Sequence, residues 1–184
     1  MLFNPAQHAL AWNRTLDLID EAGLMDHILA VDICNEWPLP IWAPYVYGED
    51  EDSAACTGPK SWTWDDPRAL AWANETMDRI RQVRPELPLT FSTQMGGDWS
   101  TAKACDFWEP HIWMAGGEFY QRLQWTFAHK FDYSELERVQ LYAEDLYRAD
   151  PEHWNGILRR AIDQMAGQAR THGKALITTE CWGI

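Results

Sequence analysis

Leu29-Ala30-Val31-Asp32-Ile33-Cys34-Asn35-Glu36 is the stretch on which the reading of this chain turns. Together with His27-Ile28 ahead of it, the run is nearly continuous in apolar character, then stops on an amide and a carboxylic acid. A parallel strand covered on both faces has that pattern, whereas a half-solvated strand alternates. A second run, Ala175-Leu176-Ile177, is closed in the same manner by Thr178-Thr179-Glu180. Strands are therefore expected over 27–34 and 174–179, each with a glutamate just beyond its C-terminal end.

Working outward, Asn4-Pro5 reads as a cap and first helical residue, with a helix to about 22 and Gly23 as its stop. The segment 37–64 holds Pro38, Pro40, Pro44, Gly48, Gly58 and Pro59, and is too long for a plain connector. It follows Glu36 directly and is expected at the same mouth as both glutamates. Its acidic run Glu49-Asp50-Glu51-Asp52 reads as solvated surface. Asp66-Pro67 opens a second helix that cannot continue through Pro85. A strand over 87–93 leads to the turn Gly96-Gly97, a short helix over 100–105 and a strand over 107–113. Gly116-Gly117 precedes a helical stretch over 118–129. Ser134 with Glu137 forms a capping box for a helix through 148, and Asp150-Pro151 starts another that ends near Gly173.

Four strands, each separated from the next by helix, call for a parallel sheet with crossover connections. Four cannot close a (β/α)8 barrel, and 184 residues fall short of its usual ~250. The expectation is a single domain over 1–184: a partial (β/α)8 TIM barrel lacking N-terminal strands and the last strand, hence a fragment of a longer protein. The alternative is a self-contained open α/β sheet. In a barrel the C-terminal strand ends share one mouth, so glutamates nearly a chain length apart would meet there.

A formal net charge of −13 argues against nucleic acid or an anionic membrane surface as partner. No run of 18 or more apolar residues suggests a membrane span. Twelve Trp is a heavy load for this length. Some are core side chains, but Trp37, Trp42, Trp62, Trp64, Trp113 and Trp182 fall in loops or at strand ends, where flat rings can stack on sugars. The cysteines at 34, 56, 105 and 181 have no metal or redox spacing, which fits a reducing, cytoplasmic setting. No basic n-region or cleavable apolar stretch precedes the first helix.

The stretch 29–36 resembles the signature of family 5 glycoside hydrolases, an apolar strand ending in Asn-Glu. That family belongs to the clan A hydrolases, in which this glutamate ends the fourth barrel strand and serves as acid/base. Trp37 intervenes before Pro38 where proline normally follows, which points to a diverged, cellulase-like member. Thr178-Thr179-Glu180-Cys181-Trp182-Gly183 is similar to the clan's seventh strand, whose terminal glutamate is the nucleophile. The resemblance makes the four strands the fourth to seventh. Pro110-His111-Ile112-Trp113 then falls on the sixth, with Trp113 where many members carry a tyrosine.

What the resemblance implies is a retaining hydrolase of β-linked oligo- or polysaccharide, of which this chain is a truncated part expected to be a poor or inactive catalyst on its own. Glu36 would protonate the leaving oxygen and Glu180 would attack the anomeric carbon, their carboxyl groups roughly 5 to 5.5 Å apart. Asn35 would bind the sugar 2-hydroxyl, with His111, Trp113, Trp182 and Trp37 as further substrate contacts. Asp32 shares a face with Glu36 and is expected to support it by hydrogen bonding. No cofactor or metal is expected: H-x-H and H-E-x-x-H are missing, as is G-x-G-x-x-G. The rival from another class is a non-catalytic sugar-binding protein on a hydrolase-like scaffold.

Overall fold

The computed structural model describes residues 4–37, 66–94, 100, 102–114, 117–124 and 133–181. Its helices are α1 (Pro5–Glu21), α2 (Pro67–Arg81), α3 (Gly117–Arg122), α4 (Tyr133–Ala149) and α5 (Pro151–Thr171). The short strands are β1 (Val31–Asp32), β2 (Leu89–Thr90), β3 (Thr93–Gln94), β4 (Phe107–Trp108), β5 (Pro110–His111) and β6 (Ala175–Leu176).

Every Asx-Pro pair starts a helix, because the side-chain oxygen takes an orphan N–H while proline presets φ. Asn4 accepts from the Gln7 N–H at 2.9 Å, Asp66 from that of Arg68 at 2.8 Å, and Asp150 from that of His153 at 3.1 Å. Gly23 and Gly173, at φ of 70° and 64°, end α1 and α5 in Schellman turns. In the first, Gly23 N–H donates to Asp20 O and Leu24 N–H to Ile19 O; in the second, Gly173 donates to Arg170 O and Lys174 to Ala169 O. α4 begins at Tyr133, so Ser134 lies inside its first turn and is not the expected cap.

All strand pairing is parallel: β1 with β2, β3 with β5, and β4 with β6. These three two-stranded sheets come from four stretches of chain that neighbour one another in sequence order. Asp106 N–H to Leu89 O at 2.9 Å and Thr93 N–H to Glu109 O at 3.1 Å join the second stretch to the third. Ile112 bridges Cys181 and joins the third to the fourth. Among the described residues no closed barrel forms.

Several expected elements are revised: the strands foreseen over 87–93, 107–113 and 174–179 reduce to β2 with β3, β4 with β5, and β6, and the helix foreseen from 118 gives way to a turn at 123–124. The strand foreseen over 27–34 is confined to Val31–Asp32; a 3-10 turn occupies Met25–His27, and Leu29 is 80% exposed. Apolar content alone did not bury Leu29, because no neighbouring strand pairs with it among the described residues. The helix foreseen over 100–105 is replaced from 102 onward by turns and bends, with Cys105 N–H donating to Ala102 O. All of the expected long loop beyond Trp37, up to 65, lies outside the described residues.

The sheet has two chemically distinct faces. Val31, Ile33, Leu89, Phe91, Trp108 and Ile112 join the apolar cluster with Leu16 of α1, Met77 and Ile80 of α2, and Met165 of α5. Thr90, Ser92, Glu109 and His111, at alternating positions, are buried polar residues. A strand's period of two sorts the side chains in this way. Arg84, just past α2, ties it to α1 by pairing with Asp17 at 2.9 Å and Asp20 at 2.8 Å.

Candidate active site

After β1 the chain turns through 33–37, and Glu36 sits there at φ 53°, a left-handed conformation that L-residues seldom take. Ser92 holds this turn from the next stretch. Glu36 N–H donates to Ser92 Oγ at 3.0 Å, and Trp37 N–H donates to Ser92 O at 2.7 Å. Ser92 is itself clamped by Asp32, whose Oδ1 accepts from its N–H at 2.8 Å and whose Oδ2 accepts from its hydroxyl at 2.6 Å.

Glu180 arrives from the fourth stretch. Its carbonyl accepts from the Ile112 N–H at 3.2 Å and the Thr178 hydroxyl at 3.1 Å. The neighbouring Thr179 hydroxyl donates to the buried carboxyl of Glu109.

His111, at the end of β5, is the meeting point. Its Nδ1 lies 3.1 Å from Glu36 Oε1 and 3.4 Å from Glu180 Oε2. One oxygen from each glutamate and a His111 nitrogen all fall within 4.8 Å of one another. The side chain of His111 is 0% exposed, that of Glu36 15% and that of Glu180 43%. Two carboxyl groups are thus held together in unequal surroundings, one largely enclosed and one open to solvent.

The same three donors could take a divalent ion. Doing so through Nδ1 would place the imidazole proton on Nε2, which is buried with no hydrogen-bond partner among the described residues. A metal-bound histidine ordinarily donates its other N–H, and a buried unpaired N–H costs about 1–3 kcal/mol. With its proton on Nδ1, His111 instead donates toward the two carboxyl groups, and Nε2 is then a buried acceptor with no partner among the described residues.

Below these groups, burial pushes the Asp32 carboxyl up to about 6; the bonds from Ser92 oppose this, Glu109 adds to it and His111 opposes it. An acid whose folded pKa is raised loses stability as pH climbs from its unfolded pKa through the folded one. Asp32→Asn removes that titration. Its stability relative to the unmutated protein should rise by about 2 to 3 kcal/mol between pH 4 and pH 7. Urea unfolding of both proteins across that range measures it, and a constant difference would exclude the raised pKa.

The structure brings Glu36, Glu180 and His111 together. Asn35 is exposed beside Glu36, and the half-buried Trp113 stands edge-on to the His111 ring, centroids 6.5 Å apart. Trp37, expected as a sugar platform, is instead a core side chain, 1% exposed and stacked on Trp72 at 4.7 Å. The backbone turn that presents Glu36 points the next side chain back into the core. Trp182 lies outside the described residues, as do Trp42, Trp62 and Trp64. Sequence reasoning missed Ser92, Glu109 and Thr179. Parity was the available signal, since Ser92 alternates with Leu89 and Phe91, and Glu109 shares the parity of His111.

Residues 1–184 match the family described as sugar-binding cellulase-like. A crystal structure from Parabacteroides distasonis ATCC 8503, of a protein provisionally described as a glycoside hydrolase, superposes with a TM-score of 0.82 at 35% identity. The match covers 100% of this chain and 48% of that one, so the chain spans about half the length of its structural relative. No curated protein matches the chain.

Proposed function

The chain belongs to the sugar-binding cellulase-like family, and from that premise we propose that it carries the two-glutamate centre of a retaining glycoside hydrolase acting on β-linked oligo- or polysaccharide. The four strand stretches are read as part of a (β/α)8 barrel whose remaining strands belong to a longer protein. The observation that carries the proposal is the convergence of Glu36 and Glu180 on His111 from opposite ends of the chain. A separation within 4.8 Å between their oxygens favours retention, because inversion needs the carboxyl groups ~6.5–9.5 Å apart to admit a water.

In this reading Glu36, the more enclosed acid, gives a proton to the leaving oxygen. Glu180, the more exposed, attacks the anomeric carbon through a carboxylate oxygen, forming a glycosyl ester. Glu36 then takes a proton from the water that hydrolyses the ester. His111 is too buried to stack on a sugar and serves by donating to the carboxylates. Asn35 is assigned to the sugar 2-hydroxyl, and Trp113, with Trp182, to the sugar face.

The test is hydrolysis of a panel of β-glycosides by the protein, followed by proton NMR of the first sugar released. Retention of the anomeric configuration is the expected result, and inversion would overturn the mechanism. The family's description as sugar-binding favours one second reading, a non-catalytic sugar receptor. Sugar binding that survives Glu36→Gln, with no turnover by the unmutated protein, would establish it.

A further inference from the structure

Glu36 holds a left-handed backbone conformation that is unfavourable for an L-residue, so something must hold it there. Its N–H meets the Ser92 hydroxyl oxygen at 3.0 Å. A serine hydroxyl rotates freely unless its proton is claimed, and here Asp32 Oδ2 claims it at 2.6 Å. Asp32 Oδ1 takes the Ser92 N–H as well, so the serine is gripped at two points. The hydroxyl's acceptor side is thereby left facing Glu36.

We propose that Asp32, acting through the Ser92 hydroxyl, is a positioning residue that locks the Glu36 turn and aims the Glu36 carboxyl at His111. The proposal deepens the hydrolase reading above and rests on it for its effect on turnover. Asp32 touches no reacting atom, and its influence passes through two hydrogen bonds.

Charge supports the assignment. Asp32 has no Lys or Arg partner among the described residues; the titratable groups bearing on it are Glu109, His111 and Cys34. Unpaired and mostly enclosed, its carboxylate is a liability for folding at neutral pH. A neutral side chain of the same shape would fold better but could not accept from both Ser92 donors. A charged acceptor makes those bonds stronger than a neutral one would.

Amide hydrogen exchange tests the proposal independently of activity. In Ser92→Ala and in Asp32→Asn, the Glu36 amide should lose protection by about tenfold, the equilibrium of a hydrogen bond worth ~1.4 kcal/mol. The Val31 and Ile33 amides, bonded to Pro88 O and Thr90 O, should keep theirs. Turnover should fall by up to about a hundredfold in kcat with KM little changed, the consequence of a misplaced acid. An unaltered Glu36 amide in both variants, or equal loss at all three amides, would overturn the proposal. If the Glu36 amide alone responds while the unmutated protein turns over no glycoside, the positioning role stands and the hydrolase reading fails.

Discussion

Glu180→Gln is expected to lower glycosidase turnover by about three powers of ten or more, on every substrate alike. A neutral amide at that position cannot form the ester on which both steps depend. Glu36→Gln should behave differently. Losing a general acid costs about 10²–10⁴ in rate, but only where the leaving group needs a proton. A glycoside of an acidic phenol departs unaided, so its first step should survive and the ester should accumulate, giving a burst of phenol followed by a slow phase. An oligosaccharide, whose leaving alcohol is poorly acidic, should show the full loss. Rapid-quench kinetics on the two substrate classes measures the contrast. If both variants respond identically to the leaving group, the two glutamates do not divide the work as assigned.

Trp37→Ala is expected to be the most destabilising single substitution near the site. The ring is 1% exposed, stacked on Trp72 at 4.7 Å and tilted against Phe91 at 5.4 Å. Emptying a buried tryptophan site typically costs ~3–5 kcal/mol. For a domain of this size each kcal/mol lowers Tm by ~2–4 °C, so a fall of roughly 10 °C is expected. Trp113→Ala, at a half-buried position beside His111, should instead raise KM with little change in Tm. Calorimetry and substrate titration of both variants separate the roles. A Trp37→Ala protein that melts normally but binds sugar poorly would return Trp37 to the mouth of the site.

The burial of Trp37 shows where sequence reading reaches and where it stops. Local chemistry was legible: Asn4, Asp66 and Asp150 cap helices because each precedes a proline and carries an acceptor of the right length. Order was legible too, since alternating helix and strand signals leave parallel pairing as the natural solution, and parallel pairing brought Glu36 and Glu180 to His111. Burial was not. Leu29 and Trp37 both flank β1, yet one is exposed and the other is core. That difference depends on pairing with 88–92 and on packing against α2, neither of which a linear pattern encodes. The polar face was legible in principle, because Thr90 and Ser92 alternate with Leu89 and Phe91. Its use as a clamp on Glu36 required the turn geometry.

The central claim, that Glu180 is the nucleophile of a retaining site, predicts a covalent sugar ester at one residue. A β-configured 2-deoxy-2-fluoro aryl glycoside should reveal it. Fluorine at C2 destabilises the oxocarbenium-like transition states of both steps, and a good leaving group rescues only the first, so the ester persists. Mass spectrometry of the protein after treatment, with fragmentation of its peptides, should find one fluoro-sugar per chain, attached to Glu180. An adduct on Glu36, or an unmodified Glu180 in a protein that hydrolyses the corresponding unfluorinated glycoside, would contradict the account.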